Sequence, residues 1–112
     1  MNQGIRTVIY PVKDITSAKA LFRDLLGVEP YTDAPYYVGF KIGVQDIGLD
    51  PNGHQAGTTA YYHVDDIRKC LQMFVDAKAE TIQDVREVGG GRQIASIKDT
   101  DGNIIGLLQD PG

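Results

Sequence analysis

The chain has no tryptophan, one cysteine, two histidines and two methionines among 112 residues, and each scarcity closes off a class of function. The lone Cys70 cannot form an intramolecular disulfide and fits a reducing compartment. No Ser-His-Asp or Cys-His set for nucleophilic catalysis is recognisable, and no haem, flavin or nucleotide signature is present. Basic charge is short. Eleven Lys and Arg stand against 15 Asp and Glu, a net charge of −4 that argues against nucleic acid or an anionic membrane as partner. No apolar run approaches membrane-spanning length, and Met1-Asn2-Gln3-Gly4 lacks the pattern of a signal peptide. A cytoplasmic protein that does not engage a membrane is the expectation.

What the chain does have is a repeat. Val12-Lys13-Asp14-Ile15 returns as Val64-Asp65-Asp66-Ile67, 52 positions later (64 − 12). Each copy closes an apolar strand-like run and opens an amphipathic helix, and the same offset pairs Thr7 with Thr59. In the first module Arg6 to Val12 reads as a strand, and Asp14 caps a helix from Ile15 to about Leu26. Ile15, Ala18, Leu21, Phe22, Leu25 and Leu26 form its apolar face, and Gly27 stops it. Strands follow at about 29–32, 36–42 and 45–49, with Gly43 at a hairpin turn. The second module repeats the plan. A strand over 58–64 precedes a helix from Ile67 to about Lys78, its stripe formed by Ile67, Cys70, Leu71, Phe74 and Val75. Strands at about 81–88, 92–98 and 104–108 complete it.

Each module is therefore β-α-β-β-β, with module 1 at about 5–50, a polar connector over 51–57 and module 2 at about 58–110. A helix covers one face of each short sheet and leaves the other bare. Pairing the modules gives an α+β fold, an eight-stranded mixed, curved sheet whose concave inner face is a natural ligand site.

With these elements in order, the chain resembles the vicinal oxygen chelate superfamily, which includes glyoxalase I, ring-cleaving dioxygenases and the fosfomycin- and bleomycin-resistance proteins. The carriers are Val12-Lys13-Asp14-Ile15 with Leu25-Leu26-Gly27, then Val64-Asp65-Asp66-Ile67, then Asp99-Thr100-Asp101-Gly102-Asn103-Ile104-Ile105. In the last segment Thr100 stands where proline is usual. Enzymes of that family hold a divalent metal through His and Glu at symmetric positions. The resemblance puts those positions at Thr7, Gly48, Thr59 and Gly106. Glycine has no ligating side chain, and a neutral hydroxyl is a poor ligand beside imidazole or carboxylate. The resemblance thus points to the metal-free, bleomycin-resistance-like branch, with no metal and no cofactor. The glycines would let a flat ligand approach the backbone. Asp46 and Asp50 flank Gly48 at period-2 spacing and face the same side as it.

Strand alternation puts Thr59, Tyr61 and His63 on one face and Tyr62 and Val64 on the other. His63 is the candidate general base or hydrogen-bond partner, set against a plain rim histidine; His54 sits in the connector as a solvated residue. Tyr36, Tyr37, Tyr61, Tyr62 and Phe40 make an aromatic-rich set, of which either Tyr36 with Phe40 or Tyr37 with Lys41 can line the cup. Arg92, after the mobile hairpin Gly89-Gly90-Gly91, and Lys41 are placed to meet an anionic ligand. The expected ligand-binding set is Thr7, Thr59, Tyr61, His63, Gly48, Gly106, Tyr37, Lys41 and Arg92. The leading expectation is a homodimer that binds a small planar or aromatic molecule without turnover, as in drug sequestration. The alternatives are a lyase, isomerase or dioxygenase-type enzyme, metal-free with His63 as base or using an unrecognised metal site, and a subunit whose cup is vestigial.

Overall fold

The computed structural model describes residues 2–52 and 57–111; His54, expected to be solvated in the connector, lies outside them. Two helices and eight strands alternate as two β-α-β-β-β runs, an α+β architecture with mixed strand pairing. The first run is β1 (Ile5–Pro11), α1 (Ile15–Leu26), β2 (Thr32–Ala34), β3 (Tyr37–Ile42) and β4 (Gln45–Asp50). The second is β5 (Thr59–His63), α2 (Ile67–Asp76), β6 (Glu80–Glu87), β7 (Gln93–Lys98) and β8 (Ile104–Gln109). The chain forms two compact units, Thr7–Thr59 and Met1–Arg6 with Ala60–Gly112. We refer to them as the N-terminal and C-terminal units.

Both units have the same topology. In the N-terminal unit the order is β2-β3-β4-β1, and only β1 and β4 run parallel. In the C-terminal unit it is β6-β7-β8-β5, with β5 and β8 parallel. One face of each sheet packs under its helix. Val38, Phe40 and Leu49 form the N-terminal core, joined by Tyr10, Ile15, Ala18, Phe22 and Leu26. Val64, Ile67, Leu71, Ala95, Ile97 and Leu107 form the C-terminal one, joined by Tyr62, Cys70 and Phe74.

The caps explain where the helices begin. The Asp14 carboxylate accepts hydrogen bonds from the Thr16 and Ser17 amides and the Ser17 hydroxyl, satisfying first-turn N–H groups that have no partner inside the helix. Asp66 does the same for the Lys69 amide, and Gln109 Oε1 accepts from the Ile67 amide at 2.8 Å. Gly27 ends α1 in the left-handed region, φ 72°, its amide donating to Arg23 O. After α2 the left-handed residue is Lys78, φ 73°, a conformation that strains any side chain bearing a β-carbon.

Four details differ from expectation, the first being that Val75, expected in the apolar stripe of α2, is exposed. The second strand begins at Thr32 rather than about Glu29, because Pro30 has no N–H for the ladder; Tyr31 still donates to Gly39 O at 2.9 Å. Ala34 pairs with Tyr37, so Pro35-Tyr36 form the hairpin turn and Tyr36 is exposed rather than part of a strand. On α1, Leu21 and Leu25 stand exposed, since only Ile15, Ala18, Phe22 and Leu26 point at the sheet. No helix of the described residues is long and apolar enough to cross a membrane.

Candidate functional site: tyrosines over glycines on the helix-free faces

Alternation along β3 and β4 fixes which side chains share a face. Val38, Phe40, Ile47 and Leu49 face the helix, so Tyr37, Gly39, Lys41, Asp46 and Gly48 belong to the opposite, helix-free face. The register places Thr7 beside Asp46, Ile9 beside Gly48, and Gly39 beside Gly48. Thr7 is 1 % and Asp46 3 % exposed. Over the two paired glycines lie two tyrosine rings. A β-carbon built on Gly39 would fall 2.9 Å from the Tyr31 ring. One built on Gly48 would fall 2.6 Å from Ile9 Cδ1 and 2.7 Å from Tyr37 Cζ, and would collide with the Tyr37 hydroxyl. The Tyr31 hydroxyl donates to Asp46 Oδ1 at 2.8 Å, and the Lys41 ammonium stands 5.2 Å from the centroid of the Tyr31 ring, within cation–π range.

The C-terminal unit repeats the arrangement. Tyr62 and Val64 pack toward the helix, which turns Tyr61 and His63 to the helix-free face as expected from the strand period. Tyr61 pairs with Gly106 across the parallel ladder. A β-carbon on Gly106 would fall 2.5 Å from Tyr61 Cδ1 and 2.7 Å from Cγ. Thr59, the first residue of β5, is buried. His63, at the strand's end, is 6 % exposed; its amide donates to Gly4 O and its carbonyl accepts from the Gln3 amide. Its Nδ1 stands 3.6 Å from Asp110 Oδ2, an ion-pair distance but too long for a hydrogen bond. The other carboxylate oxygen accepts from Arg92 Nε at 2.7 Å. Asp110 thus links two residues singled out from the sequence, His63 and Arg92. Gly89, Gly90 and Gly91 all have positive φ, which closes the loop before Arg92, with the Arg92 amide donating to Gly89 O.

Of the nine expected ligand-binding residues, Thr7, Gly48, Tyr37 and Lys41 share a face of the N-terminal unit. Tyr61, His63 and Gly106 share one in the C-terminal unit, where Asp110 ties Arg92 to His63; Thr59 begins β5. The glycines do not leave bare backbone for a flat ligand, because Tyr37 and Tyr61 already occupy the space a β-carbon would need. Sequence reading missed Tyr31, Gly39 and Asp110. Strand alternation applied to 31–39 would have flagged the first two, whereas Asp110 carries no local signal.

Taken one by one, the four positions at which the resemblance places metal ligands do not supply donors suited to a divalent ion. The four positions offer two hydroxyls and two glycines, and the glycines are covered by rings. Among the described residues, no three His, Cys, Asp or Glu side chains come together in a group able to hold a metal. What the faces offer is aromatic surface from Tyr31, Tyr37 and Tyr61, with Lys41 beside the Tyr31 ring.

No curated relative matches the chain by sequence. Among solved structures it is similar to a glyoxalase/bleomycin resistance protein/dioxygenase superfamily member from Vibrio splendidus, at 17 % identity and TM-score 0.71, covering 99 % of this chain and 100 % of that one. It is also similar to methylmalonyl-CoA epimerase from Mycobacterium tuberculosis, at 16 % identity and TM-score 0.78, covering 99 % and 90 %. Methylmalonyl-CoA epimerase from Streptomyces coelicolor, solved with 2-nitronate-propionyl-CoA, matches at 13 % identity and TM-score 0.76 over the whole of both chains. Such identities carry the fold and nothing finer. The sequence itself is matched over residues 4–107 by the family model of the Glyoxalase/Bleomycin resistance protein/Dioxygenase superfamily, and the chain belongs to that superfamily.

Proposed function

We propose that this protein is a metal-independent binder of a small planar or aromatic molecule, acting as a cytoplasmic homodimer that sequesters its ligand without turnover. The observation that carries this reading is the pair of covered glycines. At both positions where the family's enzymes would carry a ligating carboxylate, a tyrosine ring stands over a glycine instead. The polar contacts then come from phenol hydroxyls, and the ring faces stack against a flat ligand. The experiment is native mass spectrometry after soaking with manganese, nickel and zinc, followed by thermal-shift screening of planar aromatic compounds. The expected result is no stoichiometric ion, together with a saturable rise in Tm for at least one compound. Ligand at a hundred times its Kd adds about 2.7 kcal/mol, on the order of 10 °C for a chain of this size. One tightly held ion per protomer, or a panel without any stabilising compound, would overturn the reading.

A second reading, a metal-free acid–base enzyme with His63 as the base, is favoured by one contact, the Asp110 carboxylate 3.6 Å from Nδ1. Such a contact can tighten in a ligand complex into the hydrogen bond that orients an imidazole for proton transfer. Exchange of an acidic C–H of a bound ligand with solvent deuterium, lost in His63→Ala, would move the assignment to this enzyme; binding without exchange keeps it with the binder.

A further inference from the structure

On the helix side of the C-terminal unit, between α2 and β6, lies a surface hollow of about 370 Å³, open to solvent and lined mostly by exposed residues. Arg68, Leu71, Gln72 and Val75 line it from the helix, and Thr81, Asp84 and Val85 from the strand. Helical spacing sorts the first wall into two rows, Arg68 with Gln72 and Leu71 with Val75, each four residues apart. The second wall is irregular. Neighbouring residues of a strand point to opposite faces, yet Asp84 and Val85 both line this hollow. They do so where the β6–β7 register shifts between Gln83 and Arg86. A bulge of this kind re-aims a side chain, and here it brings Asp84 into the lining beside Leu71, Val75 and Val85.

Arg68 and Asp84 face this space from opposite walls without closing on each other. Among the described residues the Arg68 guanidinium makes no ion pair or hydrogen bond, while Asp84 Oδ1 accepts from the Val85 amide at 2.7 Å. The hollow therefore has a basic residue on one wall and an acidic one on the other, with Leu71, Val75 and Val85 as its apolar part. Its volume is near the lower end for small-molecule sites, about 300 Å³, so the complementary ligand is small, carries both charges and has an apolar body.

We propose that this hollow is a second ligand site, which takes a free α-amino acid with an apolar side chain. The carboxylate meets the Arg68 fork, the ammonium meets Asp84 and the Thr81 hydroxyl, and the side chain lies on Leu71, Val75 and Val85. This site is separate from the tyrosine-covered faces and does not depend on the reading given to them.

The test is an amide NMR titration of the intact protein with L-leucine and L-phenylalanine, alongside N-acetyl-leucine and leucinamide. Saturable shifts confined to α2 and β6 are expected with the free amino acids. Removing either charge of the ligand should weaken binding about tenfold or more, the worth of a charge-assisted hydrogen bond. Arg68→Gln and Asp84→Asn should each do the same, and their own spectra report whether they fold. Absence of saturable shifts at concentrations on the order of 10 mM, equal binding of the blocked derivatives, or shifts that survive Arg68→Gln would each overturn the proposal.

Discussion

Gly106→Ala puts the tyrosine-on-glycine pairing to its sharpest test. Gly106 lies outside the positive-φ glycines, so its backbone accepts alanine without strain, and an alanine in mid-strand is ordinarily favoured over glycine by about 0.5–1 kcal/mol. The added methyl would fall 2.5 Å from Tyr61 Cδ1, 2.7 Å from Cγ and 2.8 Å from Cε1. Ordinary carbon contacts begin near 3.5 Å, so the ring must move by roughly 1 Å. Overpacking of this order costs about 1–3 kcal/mol. Taking about 2 kcal/mol, Tm should fall by roughly 8 °C at about 4 °C per kcal/mol. Urea denaturation followed by circular dichroism measures the loss as a lower midpoint at unchanged slope. Tyr61→Phe keeps the ring, so the cost of Gly106→Ala should persist in that background. Tyr61→Ala removes the ring, and there Gly106→Ala should become neutral or stabilising, a coupling of about 2 kcal/mol. A neutral Gly106→Ala in the wild-type background would refute the reasoning outright.

Lys78→Gly relieves the left-handed backbone after α2 and should raise stability by about 0.5–1 kcal/mol in the same denaturation assay. Phe40→Ala empties the centre of the N-terminal core, where Phe40 is 0 % exposed, and should cost about 3–5 kcal/mol; Phe40→Leu, costing less, keeps the measurement possible if the alanine variant does not fold. Asp14 and Asp99 both titrate below the ordinary aspartate range. The Ser17 amide is the main cause at Asp14 and the Asn103 amide at Asp99. Because the folded values are depressed, their contribution is full above the unfolded value, near pH 4, and drains away as pH falls through the folded values. A urea midpoint measured from about pH 5 down to pH 2 should therefore fall, and less steeply in an Asp14→Asn, Asp99→Asn double variant.

Legibility in this sequence followed locality. The helix starts rest on Asp14 and Asp66, whose partners lie within three residues. The tight turn at Asp99 is closed by bonds from Asp101 and Asn103 to a single carboxylate. The repeat offset of 52 carried the succession of elements from one module to the other. The second strand slipped because a proline three residues after Gly27 reads as strand or as loop until its pairing partner is known. The site was half legible for a related reason. Alternation sorted Tyr61 from Tyr62 and Tyr37 from Phe40, which needs only the strand's own period. That Tyr61 stands over Gly106 needs the register of a parallel ladder between residues 45 positions apart (106 − 61), and no turn sets that register. Asp110 reaches His63 and Arg92 from the residue after the last strand, beyond any periodic pattern.

The repeat also sets side by side two glycines that are covered differently. The offset of 52 aligns Ile9 with Tyr61, and each stands beside the glycine of its module, Ile9 beside Gly48 and Tyr61 beside Gly106. In the C-terminal unit the ring over the glycine therefore comes from the partner strand itself. In the N-terminal unit Ile9 is too small to fill the space alone, and Tyr37, on the strand flanking β4 from the other side, completes the cover. Two unlike solutions at equivalent places are what close packing demands once a large side chain is absent. They also bind each glycine to its tyrosine, since any side chain added at position 106 would meet the Tyr61 ring. Placing a larger side chain there takes two changes, one of which dismantles the aromatic surface on which the proposed binding depends.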